Sequence, residues 1–583
     1  MWHSTVVCKV KTDVAGDPDR LKLRVVIIGT PGEKGRDYHE KLCSTPRPAT
    51  NFMCENIAAE QDLNIASSDC VQCFLQGEFQ DSEGLEDNAG IMRLPKRLRE
   101  FDLDGDEIGY VVTVPTYGLI QAANAWQRTL QGWLLSDDNP IPMKRSNFDS
   151  TMFCFSLPTD KSLRQKALQR LQKLGINVKF TTKASNRGKT SDPRSPQSEV
   201  DDIYYFTTWI DDGRHYFSNT KMHDLFMQKF SERFKVTGGH IINKGAAPEL
   251  YLGNLHTYSA NGARVEISSA AKVDRILDKY EMSTCKGSDT FMDVNVKLGS
   301  PTTGNTPGEK CSLVAYLTRQ SKKGSESWFH PDQTDLDQTN FSDVVTRYRS
   351  ALMSISHLAQ TTYPELKLPV SILAQYQVSP TVESWKCLKH LFRYLQRSKN
   401  EAMVFSKTGK IGLTLSHECD AAHGQDLPWH GGSRYATITR LNGGASIESI
   451  ATRTKSACIG TLGSEIFALS CTARTCEFYR MWLFELGWDQ ALAVGDTSTN
   501  GSTTIKCDNA ASILNSHNNL NSDRSRHLCL RWLKIRESTT VGNTTNPVHQ
   551  DGNTLCPDML TKPLNGEKLK SFKRELKQGL TQR

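Results

Sequence analysis

Asp211 and Asp212 end a run of β-branched and aromatic residues, 203–214, and are followed at once by Gly213. The composition of the run predicts a single strand. Side chains alternate across a strand, so adjacent carboxylates share a site only where the chain bends sharply, and Gly213 supplies permissive backbone for the bend. Carboxylates this close repel one another. A divalent cation removes the repulsion, and paired cations activate an oxygen nucleophile and steady the leaving oxygen in phosphoryl transfer. The hydrophilic tip of a hairpin would read the same way. Asp69, the single acid in the apolar run 65–74, gains meaning only as a third ligand beside that pair; otherwise it is a cap or turn residue.

A second set of acids lies in the last third of the chain. Asp420, Glu465, Asp508 and Asp558 each fall at the end of an expected element, with Glu465 in the first turn of the long helix expected over 464–486. Four such acids could converge on two metal ions, although each alone is an ordinary helix-start or turn acid. Lys22 and Arg24, two apart and so on one face of a strand, suit a triphosphate, and a solvated strand face would look alike.

The elements that must position these groups follow from periodicity. Residues 6–10 and 21–28 read as strands joined by a turn, 49–63 as a helix, and 117–135 as a turn running into a helix with small residues Ala122, Ala123 and Ala125. The second half of 157–202 reads as an exposed insertion, and 299–342 as a polar linker. Helices are expected over 222–234, 270–280, 348–360 and 382–396, and a strand over 250–255. From residue 411 strands dominate, and the long helix buries Ile466, Leu469, Ala473, Cys476 and Leu483.

A chain of 583 residues holds two to four domains, and its net charge of +7 permits a polyanionic partner without requiring one. No window is long and apolar enough to span a bilayer, and no secretory signal is visible at the start. Sixteen scattered cysteines point to reduced intracellular thiols. The lone CxxC of Cys70 and Cys73 lacks a second pair for zinc.

In their order along the chain these motifs resemble the reverse transcriptase and ribonuclease H portion of copia-type retrotransposon Pol polyproteins. The resemblance runs through Lys22 to Val26, Asp37 to Glu40, Arg47 to Thr50, and Asp69 with Cys73, Phe74 and Leu75. It continues through Tyr117, Gly118, Leu119, Gln121, Ala122, Ala125 and Trp126, then Trp209 to Asp212, Tyr251 to Gly253, Tyr348 to Ser350 and Arg393 to Leu395. Further on, Asp420 to His423, Ser464 with Glu465, Cys507 to Asn509, Arg526 with His527, and Asp558 with Leu560 to Leu564 match the ribonuclease H part. Trp209 departs from the family's tyrosine, and the first ribonuclease H acid could instead align at Glu418.

The resemblance implies a multidomain α+β and α/β chain. Right-hand polymerase fingers and palm would occupy 1–255, a thumb or connection region 256–405, and a ribonuclease H-like mixed sheet with helices 406–583. It implies RNA-directed DNA synthesis with removal of the RNA strand of the hybrid. Asp69, Asp211 and Asp212 would hold two Mg²⁺ (or Mn²⁺), as would Asp420, Glu465, Asp508 and Asp558. Lys22, Arg24 and Gln121 would bind the incoming nucleotide, and His527 would assist or stay structural. The implied partners are an RNA template, a DNA primer, the RNA–DNA hybrid and deoxynucleoside triphosphates, and no membrane. The implied location is intracellular, in cytoplasmic virus-like particles or the nucleus. The alternative is an inactive relic that at most binds nucleic acid.

Overall fold

The computed structural model describes residues 2–12, 18–28, 41–79, 91–158, 160–179, 202–242, 244–296, 298–299, 306–321, 341–410, 412–424, 432–454, 458–488, 501–517 and 528–579. Arg526 and His527, the 37–40 motif, the second half of the 157–202 insertion and most of the 299–342 linker lie outside the described residues. Two compact units are formed. One takes the described residues up to Cys54 and from Leu63 to 242; the other takes Glu55–Asp62 and the described residues from Lys244 onward.

In the first unit β1 (Trp2–Thr12) and β2 (Pro18–Ile27) pair antiparallel, with Val7 opposite Arg24 and Lys9 opposite Lys22. After α1 (Pro48–Gln61), whose residues from Glu55 onward belong to the second unit, and β3 (Asn64–Cys70), the short strands β4 (Ile91–Arg93) and β5 (Tyr110–Val111) complete a sheet of order β2-β1-β4-β5. Then come α2 (Ala122–Leu135), β6 (Met143–Arg145), β7 (Met152–Phe155) and α3 (Lys161–Lys173). The unit closes with β8 (Tyr204–Trp209), β9 (Asp212–Phe217), α4 (Thr220–Arg233) and β10 (Val236–Ile241). The second sheet has order β10-β3-β9-β8-β7-β6. Phe206 of β8, Phe226 and Phe230 of α4, and Trp126 and Trp133 of α2 are buried in one core beneath it. Burial of each such phenylalanine contributes about 1.5–3 kcal/mol, so the hairpin carrying the aspartates stands on a rigid base.

In the second unit β11 (Glu249–Tyr251), β12 (Asn254–Tyr258) and β13 (Arg264–Ser268) precede the helices α5 (Ala270–Lys279), α6 (Pro307–Ser321), α7 (Phe341–Gln360), α8 (Lys367–Leu373) and α9 (Val382–Ser398). With β14 (Ala402–Ser406) those strands make a sheet of order β11-β12-β13-β14. A five-stranded sheet follows from β15 (Leu415–Ala422), β16 (Arg434–Leu441), β17 (Ser446–Arg453), β18 (Thr503–Cys507) and β19 (Thr545–His549), in order β17-β16-β15-β18-β19. The first three strands pair antiparallel; β18 joins β15 in parallel and β19 joins β18 in parallel. Around it lie α10 (Gly460–Glu485), α11 (Ala510–His517), α12 (Cys529–Arg536), α13 (Asp558–Thr561) and α14 (Gly566–Gln578). One continuous core joins α5, α7 and α9 to β16, α13 and α14.

Several expectations need correction. The run 203–214 is two strands: β8 ends at Trp209, the chain reverses through Ile210 and Asp211, and β9 begins at Asp212. The left-handed residue of this turn is Ile210, with φ 57°. Gly213 lies inside β9, where a Cβ would stand 2.6 Å from Ser68 Oγ and 2.7 Å from the Phe206 ring. Space, not turn conformation, requires the glycine. Residues 250–255 form parts of two strands, because Leu252 and Gly253 both take positive φ. The polar linker carries helix α6, and α10 starts at Gly460, which puts Glu465 beyond the first turn. After the turn that starts at Tyr117, the helix runs from Ala122 to Leu135 as expected. Gly118 sits at φ 95°, where a Cβ would come within 1.8 Å of the Ile27 carbonyl oxygen.

Candidate active sites

The register of three strands assembles the first acid set. Asp69, next to last in β3, is the direct cross-strand partner of Asp212 at the start of β9, and Trp209 pairs with Asp212 from the other side. Asp211 is held in the turn by its own carbonyl, which accepts from the Cys70 amide at 2.9 Å. The turn is strained, because a β-branched residue pays about 1–3 kcal/mol to sit at positive φ. It is held in place by the Trp126 indole, whose Nε1 donates to the Ile210 carbonyl at 2.7 Å. Asp69 is exposed, and Asp211 and Asp212 are half-buried. Burial first pushes Cys70 and Cys73 far above the ordinary thiol range, with the charges of Cys73, Asp69, Asp211 and Asp212 adding for Cys70 and those of Asp211 and Asp69 for Cys73.

Arg24 and Lys22 are half-buried on one face of β2, while Leu21, Leu23 and Val25 project from the other, exposed face. The Arg24 guanidinium lies 4.8 Å over the Tyr117 ring, which in turn is 5.0 Å from Phe74. Tyr117 is raised by burial and by the Cys73 and Asp211 charges, and Arg24 opposes the rise. Tyr117 thus feels the charges of both Arg24 and Asp211. Gln121 is buried at the N-cap of α2.

The second acid set is more deeply enclosed. Extending the parallel register in which Glu418 lies beside Lys506 brings Asp420 to the level of Asp508. Asp558 opens α13, and Glu465 comes from α10. Asp420 is pushed up to about 7, by burial first, with the Asp558 and Asp508 charges adding to it. Glu465 is pushed up to about 10 by burial and by the charges of Asp420, Cys507 and Asp508. Asp508 rises for the same reason, burial foremost. Among the described residues, Glu465 Oε2 is buried without a hydrogen-bond partner. Mutual repulsion in a desolvated oxygen-rich cluster is the condition a hard divalent cation relieves, so the donor set fits Mg²⁺.

Among the described residues, Glu465, Cys507 and Asp508 each offer an atom within 4.8 Å of the others; Asp69, Asp211 and Asp212 form no set that tight. Sequence reasoning preferred Asp420 to Glu418 for the first acid of this set. Glu418 faces the fully buried Arg440, whose Nε is 3.4 Å away, and it is Asp420 that joins the cluster. Two groups were missed as functional candidates. Lys562 forms an ion pair with Asp558, and Asp420 and Asp508 add to the charge that raises it. Thr561 donates its hydroxyl to Asp420. The i,i+4 spacing of Asp558 and Lys562 was the available signal.

No family model matches the chain. It is 20% identical over 563 residues to the retrovirus-related Pol polyprotein from transposon TNT 1-94 of Nicotiana tabacum, covering 95% of this chain and 34% of that protein. To the Pol polyprotein from transposon RE1 of Arabidopsis thaliana it is 22% identical over 577 residues, covering 98% of this chain and 31% of the relative. The chain thus spans about a third of the length of the relatives it matches. Among solved structures, a prototype foamy virus protease-reverse transcriptase aligns with 96% of this chain and 73% of its own at 9% identity and a TM-score of 0.20.

Proposed function

We propose that this relative of plant copia-type transposon Pol polyproteins is an RNA-directed DNA polymerase in its first unit and an RNA–DNA hybrid ribonuclease in its second. The relationship extends over nearly the whole chain. The observation that carries the reading is the strand register that sets Asp69 opposite Asp212 with Asp211 in the adjoining turn. In this reading β1, β2 and the Tyr117 region serve as fingers and the six-stranded sheet as palm. The helices α5 to α9 act as thumb or connection, and the five-stranded sheet is the ribonuclease.

Magnesium held by Asp69, Asp211 and Asp212, and by Asp420, Glu465, Asp508 and Asp558, would supply the charge that makes a primer hydroxyl or a water nucleophilic and steadies the leaving oxygen. The protein's own groups do the rest. Lys22 and Arg24 bind triphosphate oxygens, the guanidinium as a fork and the ammonium as a point charge. Trp126 and the Cys70 amide hold the Ile210–Asp211 peptides, and so fix where the two carboxylates project. Thr561 orients Asp420, and Lys562 neutralises part of the second cluster. The substrates are an RNA template with a DNA primer and deoxynucleoside triphosphates, then the hybrid, bound through backbone and 2′ hydroxyls.

Primer extension on a homopolymer RNA template tests the reading. Wild-type incorporation abolished by Asp211→Asn is expected, as is hybrid cleavage abolished by Asp420→Asn. A well-folded wild type that incorporates nothing refutes the polymerase assignment and leaves the inactive relic. Hybrid cleavage without extension would leave a nuclease with a vestigial polymerase half.

A further inference from the structure

The acid cluster of the second unit has a sulfur edge. Cys507, the last residue of β18, brings its Sγ within 4.8 Å of a carboxylate oxygen from each of Glu465 and Asp508, which are themselves within that distance of one another. Glu465 is only 7% exposed, and its Oε2 is buried with no hydrogen-bond partner among the described residues. A desolvated acceptor of this kind is satisfied by a proton or by a cation. Extending the parallel register of β15 and β18 sets the buried Cys419 beside Cys507 in one core, so the sulfur belongs to a small polarizable patch beside the carboxylates.

We propose that Glu465, Cys507 and Asp508 form a binding site for a thiophilic divalent cation of the Zn²⁺ class, with a water as fourth ligand. One thiolate, two carboxylates and an open position make a tetrahedral donor set, whereas Mg²⁺ takes oxygen ligands in octahedral geometry. Zn–S and Zn–O bonds of about 2.3 and 2.1 Å separate tetrahedral ligand atoms by about 3.4–3.6 Å. From separations of up to 4.8 Å, the three ligand atoms therefore close by about 1.2–1.4 Å at most. On ligation the Cys507 thiol releases its proton to solvent and the sulfur binds as thiolate. The site shares Glu465 and Asp508 with the ribonuclease centre proposed above, so Zn²⁺ and Mg²⁺ exclude one another there. The binding inference rests on that acid cluster but not on its catalysing hydrolysis.

Full-length protein titrated with Co²⁺ as a probe supplies the test. The expected result is a thiolate-to-cobalt charge-transfer band that Cys507→Ser and Cys507→Ala remove. Zn²⁺ affinity measured by competition should fall by at least roughly 10²-fold in these variants, since losing a direct ligand costs no less than losing an outer-shell partner, while Mg²⁺ affinity is unchanged. Co²⁺ binding without the band, a band that survives Cys507→Ala, or a band lost in Cys73→Ser instead would overturn the proposal. Should the Cys507 variants not fold, X-ray absorption on wild type with equimolar Zn²⁺ decides. A sulfur scatterer at about 2.3 Å that persists in Cys73→Ser supports the site, and an all-oxygen shell, or loss of the sulfur in Cys73→Ser, overturns it. None of these readouts needs the enzyme to be active, so an inert ribonuclease would leave the binding result standing.

Discussion

Glu418 and Asp420 lie two residues apart on one face of β15, yet opposite stability effects are expected when each loses its charge. Glu418 Oε1 accepts from Arg440 Nε at 3.4 Å, with the two side chains 2% and 0% exposed. Arg440 also reaches the Glu575 carboxylate at 3.5 Å and donates to the carbonyls of Gly444 and Glu575 at 3.1 and 2.8 Å. Glu418→Gln keeps the shape and removes the charge. Breaking a buried pair costs about 3–5 kcal/mol, and the residual Glu575 contact puts the expected loss near ~3 kcal/mol. Asp420 is the reverse case. Burial and the neighbouring carboxylates raise it from 3.8 to about 7. Its folded-state pKa is therefore above the unfolded value, and stability falls as pH rises from the unfolded value through the folded one. At about 1.36 kcal/mol per unit that rise sets a ceiling of ~4 kcal/mol. Asp420→Asn removes the loss but still buries an amide against Thr561, so a gain of about 1–3 kcal/mol is expected in chelator at pH ~8. Hydrogen exchange read on peptides from β15 and α14 measures both variants locally, and hybrid cleavage should survive Glu418→Gln and vanish in Asp420→Asn. A destabilised Asp420→Asn, or a neutral Glu418→Gln, would refute the assignment of the two acids.

A chain of buried hydrogen bonds makes the first unit acid-sensitive. His223 Nε2 lies 2.7 Å from the Gly239 carbonyl and must donate to it, so Nδ1 accepts from Tyr204 at 2.9 Å. The Tyr204 oxygen then accepts from His215 Nδ1 at 3.1 Å, and His215 Nε2 accepts from Ser68 at 2.9 Å. Both rings are neutral and both are held below the ordinary 6.5, by burial first, with Arg214 adding for His215 and Asp224 opposing for His223. Depressed histidines leave stability intact above the unfolded value and lose it as pH falls below about 6.5, by up to about 1.4 kcal/mol per pH unit for each ring. Urea unfolding of the first unit between pH ~6.5 and ~5 should show that slope, reduced by about half in His223→Gln; a flat profile in wild type would refute the relay. In the second unit Lys577, 3% exposed, is 2.9 Å from Glu365 and 3.0 Å from Glu401. Lys577→Met should cost about 3–5 kcal/mol by stranding Glu365, and Lys577→Met with Glu365→Leu should recover most of it. A double variant no more stable than the single one, by thermal unfolding, would count against the pair.

What could be read from the chain, and what could not, divides by sequence distance. The face of α10 was legible because burial in a helix repeats locally: Ile466, Leu469, Ala473, Cys476 and Leu483 are all fully buried. Asp508 directly follows β18, at the element end the sequence predicts, whereas Asp420 lies two residues inside the end of β15. The aspartate turn was not legible. Propensity places its left-handed residue at glycine, yet Ile210 takes it, because the indole of Trp126 and the amide of Cys70 hold the turn from 84 and 141 residues away. The resemblance favoured Asp420 over Glu418, but periodicity could not say what Glu418 does instead, since its partner Arg440 is 22 positions on and is shared with Glu575. The carboxylates of a site advertise themselves at element ends, whereas the groups that balance their charge are contributed by tertiary packing. Lys562 stands between the two cases: one helical turn after Asp558, it was within reach of a local rule, but only the convergence of Asp420 and Asp508 makes its charge part of a site.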